Sequence, residues 1–179
     1  MFHPNNSFSQ PKEKWIFNAE SQLYVPPLVA DVCEEPGNEI IISDSEVRTL
    51  RCISASGKQI WKLDHTWKKR LTSAAALTNK TPDGKPLLLI GNGDGSLTCI
   101  DAEKGKVIWQ RNAGRIEWGS TIWVDLNDDG IDEAVAGTID SGIVAYSIDG
   151  TKLWGYKGGN DRPVLSLKTP IAAADIDGD

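Results

Sequence analysis

The amino-acid sequence predicts an all-β fold built from repeated units, and three observations support this prediction. A tryptophan returns at intervals of 46, 48 and 45 residues, at Trp15, Trp61, Trp109 and Trp154. Short apolar runs alternate with turns rich in Asp and Gly, and no segment shows the 3.6-residue periodicity of a capped helix. A fixed period of this length is typical of repeat architectures, in which each unit buries its apolar face against its neighbours.

The third unit shows the order of strands most clearly. We predict strands at residues 121–124, 134–137, 143–148 and around Trp154. The turn residues between them are typical of hairpins, because Asp and Gly tolerate the positive φ of tight turns. Corresponding apolar runs lie at 87–90 and 96–100 in the second unit and at 39–42 and 49–53 in the first. Four antiparallel strands in about 40–50 residues predict the blade of a β-propeller.

The repeats divide the chain unevenly. Residues 1–13 are predicted to form an N-terminal extension, and residues 14–179 a partial β-propeller. The repeats are expected at about 18–61, 62–109 and 110–154, with the start of a fourth at 155–179. Lys14–Phe17 is expected to supply a fourth strand without its own blade, and residues 170–174 a first strand. Since propellers have at least four blades, we expect a longer propeller, whose exposed edges here would favour self-association.

Composition narrows the classes of function. The chain has 25 acidic and 19 basic residues and a net charge of −6, which argues against nucleic-acid binding. No apolar run is long enough to predict a transmembrane helix, and the first residues show no signal-peptide pattern. The three cysteines do not form a disulfide framework, and Cys52 and Cys99 occupy near-equivalent positions typical of small core residues.

The second unit resembles a known repeat. Its residues 99–109, Cys-Ile-Asp-Ala-Glu-Lys-Gly-Lys-Val-Ile-Trp, resemble the tryptophan-docking repeat of quinoprotein-type (PQQ-like) β-propellers. The resemblance implies a propeller of six to eight blades whose docking residues pin adjacent blades together. The docking residues expected here are Trp61, Trp109, Trp154, Asp101 and Gly105. The first and third units have a shorter turn, with Ser54 and Ser147 near the Asp position.

One loop carries a pattern specific for metal binding. Asp125, Asn127, Asp129 and Glu133 alternate around a glycine, and calcium takes six to eight oxygen ligands. The Ile131 carbonyl would add a backbone oxygen, while Asp128 and Asp132 are expected to point to solvent. The loop resembles the calcium loops of FG-GAP and VCBS propeller repeats. The alternative is an acidic turn without metal, because Asp and Asn favour turns through local hydrogen bonds.

The same pattern begins again at residues 175–179. Asp175, Asp177 and Asp179 could form a second, truncated site, whereas the corresponding loops of the first and second units lack a full ligand series. Two tryptophans outside the repeat register, Trp118 and Trp123, are candidates for a binding surface. For both, packing in the core is the alternative interpretation.

These observations favour a non-catalytic, calcium-stabilised propeller module that binds a protein or a carbohydrate. Neither histidine, His3 or His65, neighbours a plausible nucleophile, and no motif of metalloproteases, hydrolases or phosphate loops occurs. The PQQ-like resemblance also implies an alternative, a fragment of a dehydrogenase that holds pyrroloquinoline quinone (PQQ) against calcium. A metal-free scaffold, similar to the lipoprotein propellers of outer-membrane assembly, and a polysaccharide lyase are further alternatives. Calcium-loop propellers imply a periplasmic or secreted protein.

Overall fold

A computed structural model describes residues 12–118, 121–157 and 170–176. Within these ranges the chain forms twelve strands and no helix, arranged as three four-stranded antiparallel sheets. The first sheet contains β1 (Leu28–Ala30), β2 (Glu39–Asp44), β3 (Thr49–Ile53) and β4 (Gln59–Leu63). The second contains β5 (Ala76–Thr78), β6 (Leu87–Gly91), β7 (Ser96–Asp101) and β8 (Lys106–Asn112). The third contains β9 (Thr121–Val124), β10 (Glu133–Thr138), β11 (Gly142–Tyr146) and β12 (Lys152–Tyr156).

Each sheet is a meander in which consecutive strands pair, so each sheet is one blade. The third and fourth strands of every blade share a register irregularity at the same place. Just before it, the repeated tryptophan pairs with a small residue: Cys52 opposite Trp61, Cys99 opposite Trp109 and Ala145 opposite Trp154. Both cysteines are fully buried, as predicted, and burial raises the pKa of each thiol to about 12. They are packing residues without thiolate chemistry at neutral pH.

The core consists of two apolar clusters, one on each side of the second blade. Leu88 and Ile90 of β6 pack towards the first blade, while Leu87 and Leu89 pack towards the third. This division follows from the strand geometry, because successive side chains point to opposite faces of a sheet. The second blade is therefore buried on both faces, as expected for the middle of a stack of blades.

Tryptophan side chains join neighbouring blades by the same contact each time. The indole nitrogen Nε1 of Trp61 donates to the carbonyl oxygen of Ala102 in the second blade, at 2.9 Å. That of Trp109 donates to the carbonyl oxygen of Ile148 in the third blade, at 2.8 Å. Each bond satisfies the single donor of a ring that is more than nine-tenths buried. Trp61 and Trp109 thus each belong to one blade and donate their indole hydrogen bond to the next blade.

Beneath each ring lies a glycine of the neighbouring blade. A Cβ atom at Gly105 would stand 2.5 Å from the Trp61 ring, and one at Gly150 would stand 2.7 Å from the Trp109 ring. Both glycines also have positive φ, of 65° and 81°. Glycine is required at these turns for both reasons, the backbone conformation and the close approach of the indole.

Asp101 stabilises this turn through the backbone and is not the acceptor of the Trp61 indole hydrogen bond. Its Oδ1 atom accepts from the backbone nitrogen of Lys104, at 3.0 Å. In the shorter turn of the first blade, the Oγ atom of Ser54 accepts from the backbone nitrogen of Lys58, at 3.2 Å. The docking bond is present in both kinds of turn, because its acceptor is a backbone carbonyl rather than the aspartate.

The N-terminal segment docks on the first blade in the same way. Trp15 Nε1 donates to the carbonyl oxygen of Ala55 at 3.0 Å, and its ring lies over Gly57. Further along, the Glu20 carboxylate pairs with the buried Arg51 guanidinium at 2.7 Å, and the Ser21 hydroxyl donates to Asp44. The segment therefore covers the face of the first blade opposite the second.

Two predicted strands are wrong, those at Lys14–Phe17 and at residues 170–174. Neither segment pairs with any strand of the described structure, and a β-strand is defined by its ladder of hydrogen bonds. Trp15 nevertheless occupies a docking position, although it was not among the docking residues expected from the sequence.

The outer face of the third blade is open in the described structure. Trp154 is 44 % exposed, whereas Trp61 and Trp109 are 8 % and 5 % exposed. Leu153 and Tyr156, on the same strand, are also exposed. Their exposure leaves an apolar strand at the edge of the stack.

Candidate functional site

The acidic loop from Asp125 to Glu133 connects β9 to β10. Its side chains fold the loop by hydrogen bonds to backbone nitrogens: Gly130 to Asp125 at 2.9 Å, Asp129 to Asn127 at 3.0 Å, and Ile131 to Asp129 at 2.8 Å. Gly130 has a φ of 85°, which allows the chain to reverse at this point. The loop is thus held in a tight turn by one oxygen from each of three side chains.

One carboxylate oxygen of the acidic loop is buried and is not used in the hydrogen bonds that fold the loop. Among the described residues, Asp125 Oδ1 has no hydrogen-bond partner, and it has almost no contact with solvent. A buried unpaired carboxylate oxygen is costly unless a water or a cation satisfies it. Oxygen donors of this kind suit a hard cation such as calcium.

Glu133 has a role that requires no metal. It is 5 % exposed, and its Oε2 atom accepts from the backbone nitrogen of Leu126 at 2.8 Å. Glu39 occupies the same register position in the first blade, and its Oε2 accepts from Val32 at 2.9 Å. The loop of the first blade lacks the middle of the ligand series, yet its glutamate makes the same hydrogen bond to the backbone. The glutamate therefore supports the loop in both blades.

The carboxylates do not converge on one point. No group of three or more His, Cys, Asp or Glu side chains that could hold a metal ion is present in the described part of the chain. The residues therefore fit calcium in type and in the orphaned Asp125 oxygen, but not as a preformed cage.

The prediction that Asp132 points to solvent is wrong. Asp132 is 8 % exposed and accepts a hydrogen bond from the Thr78 hydroxyl at 2.5 Å. Its backbone nitrogen donates to the carbonyl oxygen of Lys80 at 3.0 Å. The side chain is buried because the acidic loop packs against the β5–β6 connection of the second blade. Asp128 is exposed, as expected.

The second, truncated site lies mostly outside the described residues, which include Asp175 but neither Asp177 nor Asp179. Residues 173–176 face the acidic loop across a shallow cavity of about 300 Å³.

A larger cleft of about 560 Å³ lies among the connections that enter the three blades and beside the β6–β7 turn, which contributes Gly93. Its lining residues are Tyr24, Lys69, Arg70, Thr72, Gly93, Glu117 and Trp118. Trp118 is 49 % exposed, whereas Trp123 packs against the apolar cluster between the second and third blades. The two tryptophans predicted as binding-surface candidates therefore have different environments, and only Trp118 lines the cleft.

Sequence reasoning did not single out Tyr24, Lys69 or Arg70. A signal exists in hindsight: three consecutive cations, Lys68, Lys69 and Arg70, stand just before β5 in an otherwise acidic chain. Their meeting with Tyr24 and Trp118 depends on the stacking of three blades, which no local pattern reveals.

Comparison with known proteins identifies the family. The family model described as outer membrane protein assembly factor BamB matches residues 45–178. The chain belongs to the BamB family.

A curated relative supports this membership. BamB of Shewanella oneidensis is 31 % identical over 126 residues, which cover 67 % of this chain and 30 % of the relative. The chain therefore spans about a third of that BamB.

Solved structures confirm the fold of this BamB-family chain. Quinohemoprotein alcohol dehydrogenase from Comamonas testosteroni aligns with a TM-score of 0.59 and 21 % identity, covering 80 % of this chain and 22 % of the enzyme. A europium-containing methanol dehydrogenase aligns with a TM-score of 0.61 and 18 % identity, covering 84 % of this chain and 28 % of the enzyme. BamB from Moraxella catarrhalis aligns with a TM-score of 0.53 and 18 % identity, covering 80 % of this chain and 39 % of that protein. The predicted propeller of the PQQ-like class is thereby confirmed, while the FG-GAP and VCBS resemblance of the acidic loop stays a prediction.

No helix of the described BamB-family chain has the length and apolar character needed to cross a bilayer.

Proposed function

We propose that this chain is part of a non-catalytic propeller scaffold that binds a protein partner during the assembly of outer membrane proteins, in an extracytoplasmic compartment. The observation that carries the proposal is the family match over residues 45–178, together with the S. oneidensis relative named as an assembly factor. A fold alone does not determine function, and for this reason the proposal rests on the family match rather than on the dehydrogenase structures.

The architecture supports a scaffold. The docked tryptophans fix the blades to one another, and the clusters on both faces of the second blade leave little freedom between blades. Loops held by such a frame present side chains in fixed positions, which lowers the entropic cost of binding a partner.

Disrupting the gene in its native host tests this proposal. We expect a lower amount of folded outer-membrane β-barrel proteins, measured by their heat-dependent migration in gels. Restoring the gene should restore that amount. Unchanged levels of these proteins in the disrupted strain would contradict the proposed function.

We further propose that calcium stabilises the acidic loop. The orphaned Asp125 Oδ1 supports this proposal, and Asp125, Asn127, Asp129 and the Ile131 carbonyl would hold the ion. The Glu133 carboxylate would close the shell with the oxygen that does not bind the Leu126 nitrogen.

A thermal melt with about 2 mM calcium against excess chelator tests the loop. A site filled to about 100 times its dissociation constant contributes roughly 2.7 kcal/mol, or a few degrees of melting temperature. The shift should vanish in Asp129→Ala and persist in Asp83→Ala, an exposed acidic residue of a loop in the second blade. Equal melting temperatures with calcium and with chelator would make the loop an acidic turn without metal.

A quinone-dependent dehydrogenase is the second candidate, favoured by the two dehydrogenases among the structural neighbours. Incubation with PQQ and calcium should then change the quinone spectrum and support reduction of a dye. Neither change is expected if the chain is a scaffold.

A further inference from the structure

We propose that two copies of this chain pair head-to-tail into a closed ring of six blades. At each junction, Trp154 of one copy docks on the turn at residues 55–57 of the other copy, where Trp15 lies in a single copy. The inference goes beyond the proposed scaffold function. It rests on the indole-to-carbonyl contact that the structure repeats three times.

Trp154 has the position of a docking tryptophan but no turn on which to dock. It pairs with the small residue Ala145 just before the register irregularity of its blade, as the docked tryptophans of the other blades pair with buried cysteines. Its side chain is 44 % exposed. The turns of the three blades already lie under the rings of Trp15, Trp61 and Trp109. Within one copy, none of these three turns is left for Trp154.

The receiving turn of the first blade is preformed. The carbonyl oxygen of Ala55 accepts from Trp15 Nε1 at 3.0 Å, and a Cβ atom at Gly57 would stand 2.7 Å from the Trp15 ring. For Trp61 on the second blade, the same two distances are 2.9 Å and 2.5 Å. The first blade therefore accepts an indole with the geometry that joins one blade to the next.

Trp15 holds this turn from a segment that is easier to displace than a blade. Residues 12–19 pair with no strand in the described part of the chain, and Trp15 is less buried than Trp61 and Trp109. The neighbouring Ile16 is 68 % exposed. A blade carrying Trp154 would cover the same face with a whole sheet, and it would therefore bury more apolar surface than the segment does.

The exchange requires only the first part of the segment to move. The Glu20 carboxylate pairs with Arg51, and the Glu20 backbone nitrogen and the Ser21 hydroxyl both donate to Asp44. These contacts do not involve the turn at residues 55–57, so they can hold the segment while residues 12–17 leave. The contacts that Trp15 loses are then replaced by those of the same kind of side chain.

Pairing at both ends closes the assembly. Each copy offers one free tryptophan on β12 and one receiving turn on the first blade, so two copies form two identical junctions related by a twofold axis. Two copies of three blades give six, which lies within the range of roughly four to eight blades of known propellers, whereas three copies would give nine. A closed ring also leaves no apolar strand exposed at an end, unlike an open row of copies.

Sedimentation velocity on the full chain tests the inference. As the concentration rises, we expect the monomer to give way to a species of twice its mass and to nothing larger. A monomer at all concentrations would overturn the pairing. Continued growth beyond two copies would overturn the closed ring.

Two tryptophan variants should change the pairing in opposite directions. Trp154→Ala removes the docking side chain and should weaken pairing by about thirtyfold or more, as for a tryptophan at the centre of an interface. Trp15→Ala frees the receiving turn and should strengthen pairing about tenfold, because more of the protein is then competent to pair. The double variant is the control and should pair as weakly as Trp154→Ala. Equal pairing of Trp15→Ala and the parent, or of the double variant and Trp15→Ala, would contradict the exchange.

A peptide tests the receiving turn without altering the protein. The peptide Lys-Glu-Lys-Trp-Ile-Phe-Asn-Ala copies residues 12–19. In excess it should occupy the freed turns and convert dimers into monomers, whereas the same peptide with Ala in place of Trp should have no effect. Dimers that persist with the tryptophan peptide would place the junction elsewhere on the molecule and overturn the assignment.

Discussion

At the scale of single residues, the absence of a Cβ atom at three glycines allows the blades to pack closely. Gly57, Gly105 and Gly150 each lie under a tryptophan ring at a distance that leaves no room for a Cβ atom. Gly84 also has positive φ, but nothing lies within 4 Å of the place where its Cβ would stand. The comparison separates the cost of backbone conformation from the cost of steric overlap.

Replacing Gly105 by alanine should therefore destabilise the protein more than replacing Gly84. Gly84→Ala should cost about 1–2 kcal/mol, the price of left-handed backbone for a residue with a Cβ. Gly105→Ala should cost roughly 1–3 kcal/mol more, because the Trp61 ring must shift. Urea denaturation of the two variants measures the difference, and equal losses of stability would contradict the docking geometry.

Asp94 connects the turn between β6 and β7 to the chain that enters β5. Burial acts to raise the pKa of Asp94, but hydrogen bonds from the Ser96 hydroxyl and the backbone nitrogens of Lys68 and Ser96 outweigh it and lower the pKa below the ordinary 3.8. Lys68 N to Asp94 Oδ2 is 2.7 Å and Ser96 Oγ to Asp94 Oδ1 is 2.6 Å. The ionised carboxylate is the form that these donors stabilise.

Because the folded pKa is lower than the unfolded one, this stabilisation is complete at neutral pH and is lost as the pH falls below about 3.8. Asp94→Asn should lower the free energy of unfolding at pH 7 by about 1–2 kcal/mol and flatten its dependence on acid pH. Denaturation curves between pH 7 and the acid range measure both effects. A variant with the parent's pH dependence would assign the acid sensitivity to other carboxylates.

At the scale of strands and turns, the sequence was most informative where the signal is local. Hairpin turns and the repeated tryptophans predicted the second, third and fourth strands of the blades. The short first strands β1 and β5, three residues each, were not specified, because so few residues carry no periodicity. The environment of Asp132 was missed because its partner Thr78 is 54 residues away.

The cleft was missed for the same reason. Its walls come from connections before three different blades and from the β6–β7 turn at Gly93, and each of these segments alone has the pattern of an ordinary loop. Trp118 was identified as a binding-surface candidate, and it stands outside the repeat register. The acidic loop, in contrast, was predicted as a unit, since its hydrogen bonds join residues at most seven positions apart.

The docked and open tryptophans should differ in their contribution to stability. Trp109→Ala should cost about 3–5 kcal/mol, because it removes a buried ring and leaves the Ile148 carbonyl without its donor. Trp154→Ala should change stability by about 0.5 kcal/mol or less, because its ring is 44 % exposed. Chemical denaturation followed by circular dichroism measures both, and similar losses would show that Trp154 is also docked.

At the scale of the whole molecule, the two ends of the stack of blades differ in the part of the chain that the structure describes. The N-terminal segment with Trp15 covers the outer face of the first blade. The third blade ends on β12, where Leu153, Trp154 and Tyr156 are exposed. An apolar edge strand of this kind is a surface for association.

We therefore predict that the chain associates through β12. Sedimentation velocity should show larger species as the concentration rises, and Leu153→Lys with Tyr156→Lys should return the chain to a monomer. Val107→Lys, on the outer strand of the second blade, serves as the control and should leave association unchanged. A monomer at all concentrations would contradict the prediction.

The docking bond also gives the stack a direction. The first and second blades each donate an indole hydrogen bond to the blade that follows, and each of the three blades accepts one on its own turn from the segment before it. These interfaces are therefore built from one pair of complementary parts. Duplicating a blade would reproduce both parts together and leave the remaining interfaces unchanged. A gene that encodes this repeat can therefore change its number of blades by simple duplication or deletion, without any new interface having to evolve.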